Sequence, residues 1–227
     1  MSVAAGFDLS RERLTQRSTW VACGLALSFE LGVALLERSS GHIGAADRAL
    51  QGGAFGVALP LLSYFLVTRA ANGTSLREAL LPLARHGLER RALAVGLALP
   101  PLLLASLFAA LSSILVLAVA RGPADSGFVS DAITSVWIGI VAGAAYVFTF
   151  VGASAYGRRG QGRFWLLAAD FVLGASDSFL ALPWPRGQVR NLLGGSAVLE
   201  LSQLAALLVL LGTSFAFLSL GALRLKR

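Results

Sequence analysis

Long apolar runs recur along this chain, several of about 18 residues or more, the length a helix needs to cross roughly 30 Å of hydrocarbon. Nothing else in the sequence limits the fold so strongly. Inside a bilayer every backbone N–H and C=O must find a partner within the protein, which leaves helices or a closed barrel. Continuous apolar runs favour helices over the alternating pattern of barrel strands. Of the 227 residues, 56% are hydrophobic and only 14% are charged, and the mean hydropathy is +0.73. A soluble domain of this size carries far more polar surface. The expected fold is an all-α integral membrane protein.

Six transmembrane helices are drawn, over residues 19–36, 54–68, 92–120, 132–155, 164–182 and 197–222. The second is short and has room to begin at Gly52. The third carries Pro100-Pro101, where a kink or break is expected because proline removes a ladder hydrogen bond. The connections are short, so residues 1–227 form one transmembrane domain. Of the 19 Lys and Arg, five (Arg38, Arg48, Arg121, Arg186 and Arg190) lie in one set of connections. The other fourteen lie in the opposite set, which by the positive-inside rule is cytoplasmic together with both termini. That corresponds to a bacterial cytoplasmic (inner) membrane protein. The sequence pI is about 10.9, but the arginines are spread between spans rather than gathered on one face, so no nucleic-acid partner is implied. Cys23 is the only cysteine and falls inside the first span, which excludes a disulfide framework. A cleavable leader is not expected, because no small-residue site follows a short apolar core. Residues 1–18 read as an N-terminal interfacial helix, with Leu9, Leu14 and Trp20 facing lipid.

The longest polar interruption, residues 69–91, separates spans two and three. Ser75 followed by Glu78 is a capping box. Leu76, Ala79, Leu80 and Leu83 then recur at helical spacing and form an apolar face, and Pro82 should bend or end the helix near Leu81. Such a helix either floats its leucines among headgroups or docks on a soluble partner. Asn72-Gly73-Thr74 matches a glycosylation pattern by chance, since it lies on the cytoplasmic side.

Asn72-Gly73-Thr74, Leu80-Leu81, Pro82, Arg85 and then Arg90-Arg91 resemble the segment after the second span in ABC-2 type transporter permeases. The six spans, cytoplasmic termini and interfacial leader also resemble that family in layout, although Ala70-Ala71 stand where it usually has an acidic residue before the Gly-Thr. The lysine that often opens the family's third span is also absent. The resemblance implies that residues 72–91 are a cytoplasmic coupling helix fitting a separate P-loop ATPase subunit, with Ser75, Leu76, Glu78, Leu80, Pro82 and Arg85 as coupling residues. It implies a homodimer or pseudo-dimer with a second permease, and a short outer re-entrant segment between spans five and six. The chain itself holds no Gly-x-x-x-x-Gly-Lys-Ser/Thr phosphate loop, so no cofactor is expected here. ATP and Mg belong to the partner ATPase.

Acidic residues inside apolar runs are expensive, on the order of 2.5–3.5 kcal/mol at mid-bilayer on insertion scales. Glu30 lies in span one. Asp170, Gly174, Asp177 and Ser178 in span five would share one face of a continuous helix, with no basic side chain in the spans to pair with them. These acids are expected to be protonated, hydrogen-bonded to Ser, Thr or backbone, or open to a water-filled path. They line either a translocation path or a subunit seam, or else act as polar glue between helices. In the resembling family, spans one and five meet across the dimer and border the substrate path, which implies the first role.

Gly139 and Gly143 form a Gly-x-x-x-Gly, and Gly24, Ser28 and Gly32 a second small-residue stripe; both read as packing devices. Residues 183–196 are too short for a domain and too apolar for a free loop. Trp184 is placed at the outer interface, and Arg186 or Arg190 is expected to pair with Glu200. The two histidines, His42 and His86, lie in an outer loop and in the cytoplasmic helix. Neither serves Ser154 as a catalytic base, and no His-Glu-x-x-His is present, so no catalytic residues, metal site or enzymatic activity is assigned. Two functions remain. One is a permease subunit of an ATP-driven exporter; the other is a non-transporting membrane anchor or assembly factor recruiting a soluble partner. The few, mildly acidic path residues suit a lipid-linked molecule, an amphiphilic drug, haem or a polysaccharide better than a strongly anionic cargo.

Overall fold

A computed structural model describes residues 1–41 and 44–225; His42, Lys226 and Arg227, which entered the reading above, lie outside the described residues. About 80% of the chain is helical, and the described residues contain no strand. Helix α1 covers Ser2–Leu14 and α2 covers Arg17–Ser39. Next comes one continuous helical stretch, Ala45–Ala70. It opens as α3 (Ala45–Arg48), widens into a π-helix over Ala49–Ala58 and ends as α4 (Leu59–Ala70). The short α5 (Leu76–Ala84), then α6 (Arg90–Ala120) and α7 (Phe128–Ala153) follow. The chain finishes with α8 (Gly162–Leu173), α9 (Pro185–Leu192) and α10 (Gln203–Arg224). Five of these stretches are long and apolar enough to cross a membrane: α2, Ala45–Ala70, α6, α7 and α10.

Three expected spans take a different form. The third is one uninterrupted helix through Pro100-Pro101. Both prolines are buried, about a turn beyond the close approach of α1 at Gly96, so tertiary packing holds a helix that the missing N–H groups alone would weaken. The run 164–182 is not a single helix. It is regular only to Leu173, about 18 Å of rise at 1.5 Å per residue, and then gives way to turns and a short 3-10 segment, Phe179–Ala181. Gly174-Ala-Ser-Asp-Ser178 is rich in residues whose short polar side chains bond locally to backbone and compete with the helix. The last span starts later than drawn, at Gln203, capped by the Ser202 hydroxyl accepting from the Ala205 N–H at 3.3 Å.

Helices α6 and α7 form the centre, packed along their length. Gly139 and Gly143 let them touch: a Cβ on Gly143 would stand 2.8 Å from the Ser106 backbone. The Gly-x-x-x-Gly is therefore used within the chain, backbone against backbone. Gly152 does the same for the crossing of α7 with α10, where a Cβ would meet the Phe217 carbonyl oxygen at 2.2 Å. Gly6 and Gly96 bring α1 against α6 in the same way. Tyr146, Phe150 and Leu66 fill the centre. The large exposed apolar side chains, among them Leu25, Phe29, Leu103, Leu107 and Phe215, lie on the outward faces of α2, α6 and α10. In α1, Leu14 is buried in the core rather than facing outward and Leu9 is half-buried, while Trp20, in the first turn of α2, is exposed.

Side-chain contacts sort the helix ends into two sets. At one end Arg13 donates to the Ala70 carbonyl (2.6 Å), Arg69 to Gln16, and Arg224 lies over the Tyr156 ring. Burial holds the Arg13 guanidinium below its ordinary pKa. At the other end Arg38 donates to the Val119 carbonyl (2.9 Å), Arg48 pairs with Glu37, and Arg121 pairs with Asp125 and Asp131. The first end collects most of the arginines.

Candidate functional site

At the arginine-rich end, α5 begins with the expected reciprocal cap. The Ser75 N–H donates to the Glu78 carboxylate at 3.0 Å, and the Glu78 N–H donates to the Ser75 hydroxyl at 3.3 Å. The bond from the Ser75 backbone, followed by that from its side chain, holds the Glu78 carboxyl below the ordinary range. The helix does not stop at Leu81 but continues to Ala84. Pro82 is exposed, so the Glu78 carbonyl left without a ladder partner sits on a face open to water.

The apolar face turns inward. Leu76, Ala79 and Leu80 are buried in the chain's own core, and the Leu76 N–H donates to the Ser154 carbonyl at the end of α7, 2.9 Å away. Leu76 and Leu80 therefore anchor α5 and are not available for contact. Facing out are Arg77, Glu78, Pro82, Arg85 and His86, with Arg158 and Arg159 of the following connection also exposed. Arg163, buried at the start of α8, fastens this platform from beneath. Its guanidinium donates to the Thr74 carbonyl (3.1 Å), the Arg159 carbonyl (3.2 Å) and the Ser154 hydroxyl (3.3 Å). In the sequence Arg163 is only one of the fourteen basic residues counted on one side; its closeness to Gly157 and Gly160, which the structure holds at positive φ, was the available sign of a tight junction.

The acids separate into unlike environments. Asp170 of α8 is buried and doubly bonded. One oxygen accepts from the Arg186 backbone N–H (3.0 Å) and the other from the Tyr146 hydroxyl (3.2 Å). Pro185 opens α9 without an N–H to satisfy, so Asp170 closes the helix N-terminus where a carboxylate is electrostatically favoured. The Arg186 side chain folds back to donate to the Phe171 carbonyl (3.2 Å) and lies over the Phe171 ring.

Asp177 is not on the face of Asp170. It sits in the turns beyond α8, paired with Arg190, and accepts from the Ser196 hydroxyl at 2.9 Å. Arg190 also donates to the Ala175 and Ser176 carbonyls, and the Ser178 hydroxyl meets that of Ser176 at 3.0 Å. A basic partner for an acid of run five thus exists, supplied by α9. Neither Arg186 nor Arg190 pairs with Glu200. Both guanidinium groups are engaged elsewhere, and Glu200 stands exposed at φ 56°. Trp184 is the N-cap residue of α9, half-buried, beside an apolar hollow of about 570 Å³ against α10 lined by Leu173, Phe179 and Val209.

Glu30 differs from both. It is buried beside Ser112 of α6, and neither carboxylate oxygen has a hydrogen-bond partner among the described residues. The wall nearby includes the π-helix, where Gly53 abuts Val33 of α2. Ten residues of π-helix within a long helix is unusual, and such insertions concentrate at functional sites. Gly52-Gly53 and Gly56 were its only trace in the sequence. Glu30 and Asp170 do not share a cluster: one faces α6, the other α7 and α9. No three His, Cys, Asp or Glu side chains among the described residues converge as a metal site. Compared with protein-family models and with curated proteins, the chain matches none.

Proposed function

We propose that this chain is the membrane-spanning permease subunit of an ATP-driven transporter of the ABC-2 type, probing its ATPase through the exposed face of α5. The observation that carries the reading is the construction of that helix. It is capped at Ser75 and Glu78, seated by Leu76 and Leu80, clamped to α7 and α8 through Ser154 and Arg163, and it presents Arg77, Pro82 and Arg85 outward. A helix that only floats in headgroups has no need of such fixing, whereas one that transmits force to the helices behind it does.

Other features support the same reading. A Cβ added at Gly24 or Gly32 of α2 would meet nothing within 4 Å, leaving a small-residue face open for a second permease in a homodimer or pseudo-dimer. Glu30 lies on the other side of the same helix, buried toward α6, and is not part of that face. Six crossings of a bacterial inner membrane, both termini cytoplasmic, follow if α8 and the doubled-back segment around α9 together make the fifth. The Asp170–Arg186 and Asp177–Arg190 contacts hold that segment as a re-entrant element.

The test is co-purification with an ATPase subunit, followed by measurement of coupled ATP turnover. Leu80 is unsuitable for mutation because it is buried. Arg77→Glu with Arg85→Glu reverses the exposed charge and leaves the core intact. Loss of stimulated turnover with an unchanged elution profile supports the coupling role. Turnover equal to wild type, or a co-purifying partner without ATPase activity, sinks it in favour of an anchor that recruits a soluble protein.

A further inference from the structure

At the end opposite α5, five segments line an open cavity that the transporter reading does not use. Its volume is about 160 Å³, and it lies between α3, the ends of α6 and α9, and the starts of α7 and α10. A wider hollow of about 540 Å³ adjoins it, sharing Asp47 and Asp131 and bounded by Arg121. Leu50, Leu117 and Leu192 make one side apolar; Asp47, Asp131 and Ser135 make the other polar. Asp131 gives one oxygen to Arg121 and keeps the other. Among the described residues Asp47 makes no ion pair. Ser135 is 5% exposed, yet its hydroxyl has no side-chain hydrogen bond among the described residues, and the residue lines the cavity. A hydroxyl without a protein partner is free to bond to a guest or to water.

We infer that this cavity is a binding site for a small primary alkylammonium ion, the ammonium held by Asp47, Asp131 and Ser135 and the alkyl chain lying on Leu50, Leu117 and Leu192. Three acceptors match the three N–H donors of a primary ammonium. The two carboxylates outweigh the single guanidinium of Arg121, so a cation is favoured over an anion. The volume limits the guest: a void of about 150 Å³ holds a benzene-sized molecule, so a chain of about four carbons fits and a large headgroup does not.

n-Butylammonium chloride is the probe, titrated against the full-length protein in lipid nanodiscs by calorimetry, with 1-butanol, tetraethylammonium and MgCl₂ as comparisons. Saturable binding of butylammonium alone is expected. Asp47→Asn, at an exposed residue with no ion pair to break, weakens it about tenfold, the loss of one charge-assisted contact. Ser135→Ala weakens it about threefold, the loss of a neutral one. Equal binding by wild type and Asp47→Asn overturns the proposal. So does equal binding of 1-butanol, which marks an apolar void only, and so does preferential binding of Mg²⁺. Absence of any saturable heat with butylammonium also overturns it. None of these outcomes bears on ATPase coupling, which is read at the other end of the molecule.

Discussion

Glu30 in α2 and Asp170 in α8 are hidden to the same degree, at 1% and 2% exposure, yet their surroundings differ in kind. Asp170 has a donor for each oxygen, one from the α9 backbone and one from Tyr146. Glu30 has none among the described residues. An acid whose oxygens are both satisfied within the chain is part of its architecture, because removing it strands the groups that bonded to it. An acid with no such bonds contributes nothing comparable to the fold. By this criterion Asp170 holds the α8–α9 junction, whereas Glu30 is buried beside Ser112 without a bond that the architecture depends on.

The largest effect is expected at Asp170. Asp170→Ala leaves the Arg186 N–H and the Tyr146 hydroxyl unpaired in a buried site, and costs on the order of 2–4 kcal/mol. Thermal unfolding followed by size-exclusion chromatography should show a drop of many degrees. Tyr146→Phe removes a single neutral donor and should cost about 1 kcal/mol. Glu30→Met should change stability by less than about 1 kcal/mol, since replacing an unpaired buried acid by an apolar side chain is often neutral or stabilising. On the proposed transporter reading, it should at the same time lower the ATP turnover of the co-purified complex. If Glu30→Met unfolds the protein as readily as Asp170→Ala, the distinction between the two acids fails.

The comparison also shows what the residues alone could convey. Apolar run length identified five helices that the structure has, because hydrophobicity over eighteen residues is a property of the whole window. The capping box at Ser75 and Glu78 was legible because it is local, three residues apart on one backbone. The Gly139 and Gly143 motif marked a close helix crossing for the same reason, with its partner on α6. The end of α8 was not legible as a boundary: residues 174–182 remain apolar enough to extend the run, while Ser, Asp and Gly there turn the chain toward contacts made only after folding. The Asp177–Arg190 pair required knowing that the chain doubles back at α9. The direction of the α5 leucines could not be read either, since an amphipathic pattern gives a face but not which side of the helix the protein occupies.

Glu78 gives the smallest effect and isolates one half of the contrast. Asp170 is buried and bonded, Glu30 buried and unbonded, and Glu78 bonded but exposed. Its carboxyl is held below the ordinary 4.5 by the bonds from Ser75, so the ionised form is favoured in the folded state. The contribution to the α5 cap is therefore fully present above about pH 4.5 and is lost as pH falls through the lowered folded value. Hydrogen exchange of the first turn of α5 should accelerate, relative to the rest of the chain and after correction for intrinsic rates, between pH 5.5 and pH 3. Glu78→Gln retains an acceptor for the Ser75 N–H but cannot titrate, so that acceleration should vanish. An acceleration that persists in Glu78→Gln would assign the pH dependence to another group and leave hydrogen bonding, without burial, with no measurable hold on this helix.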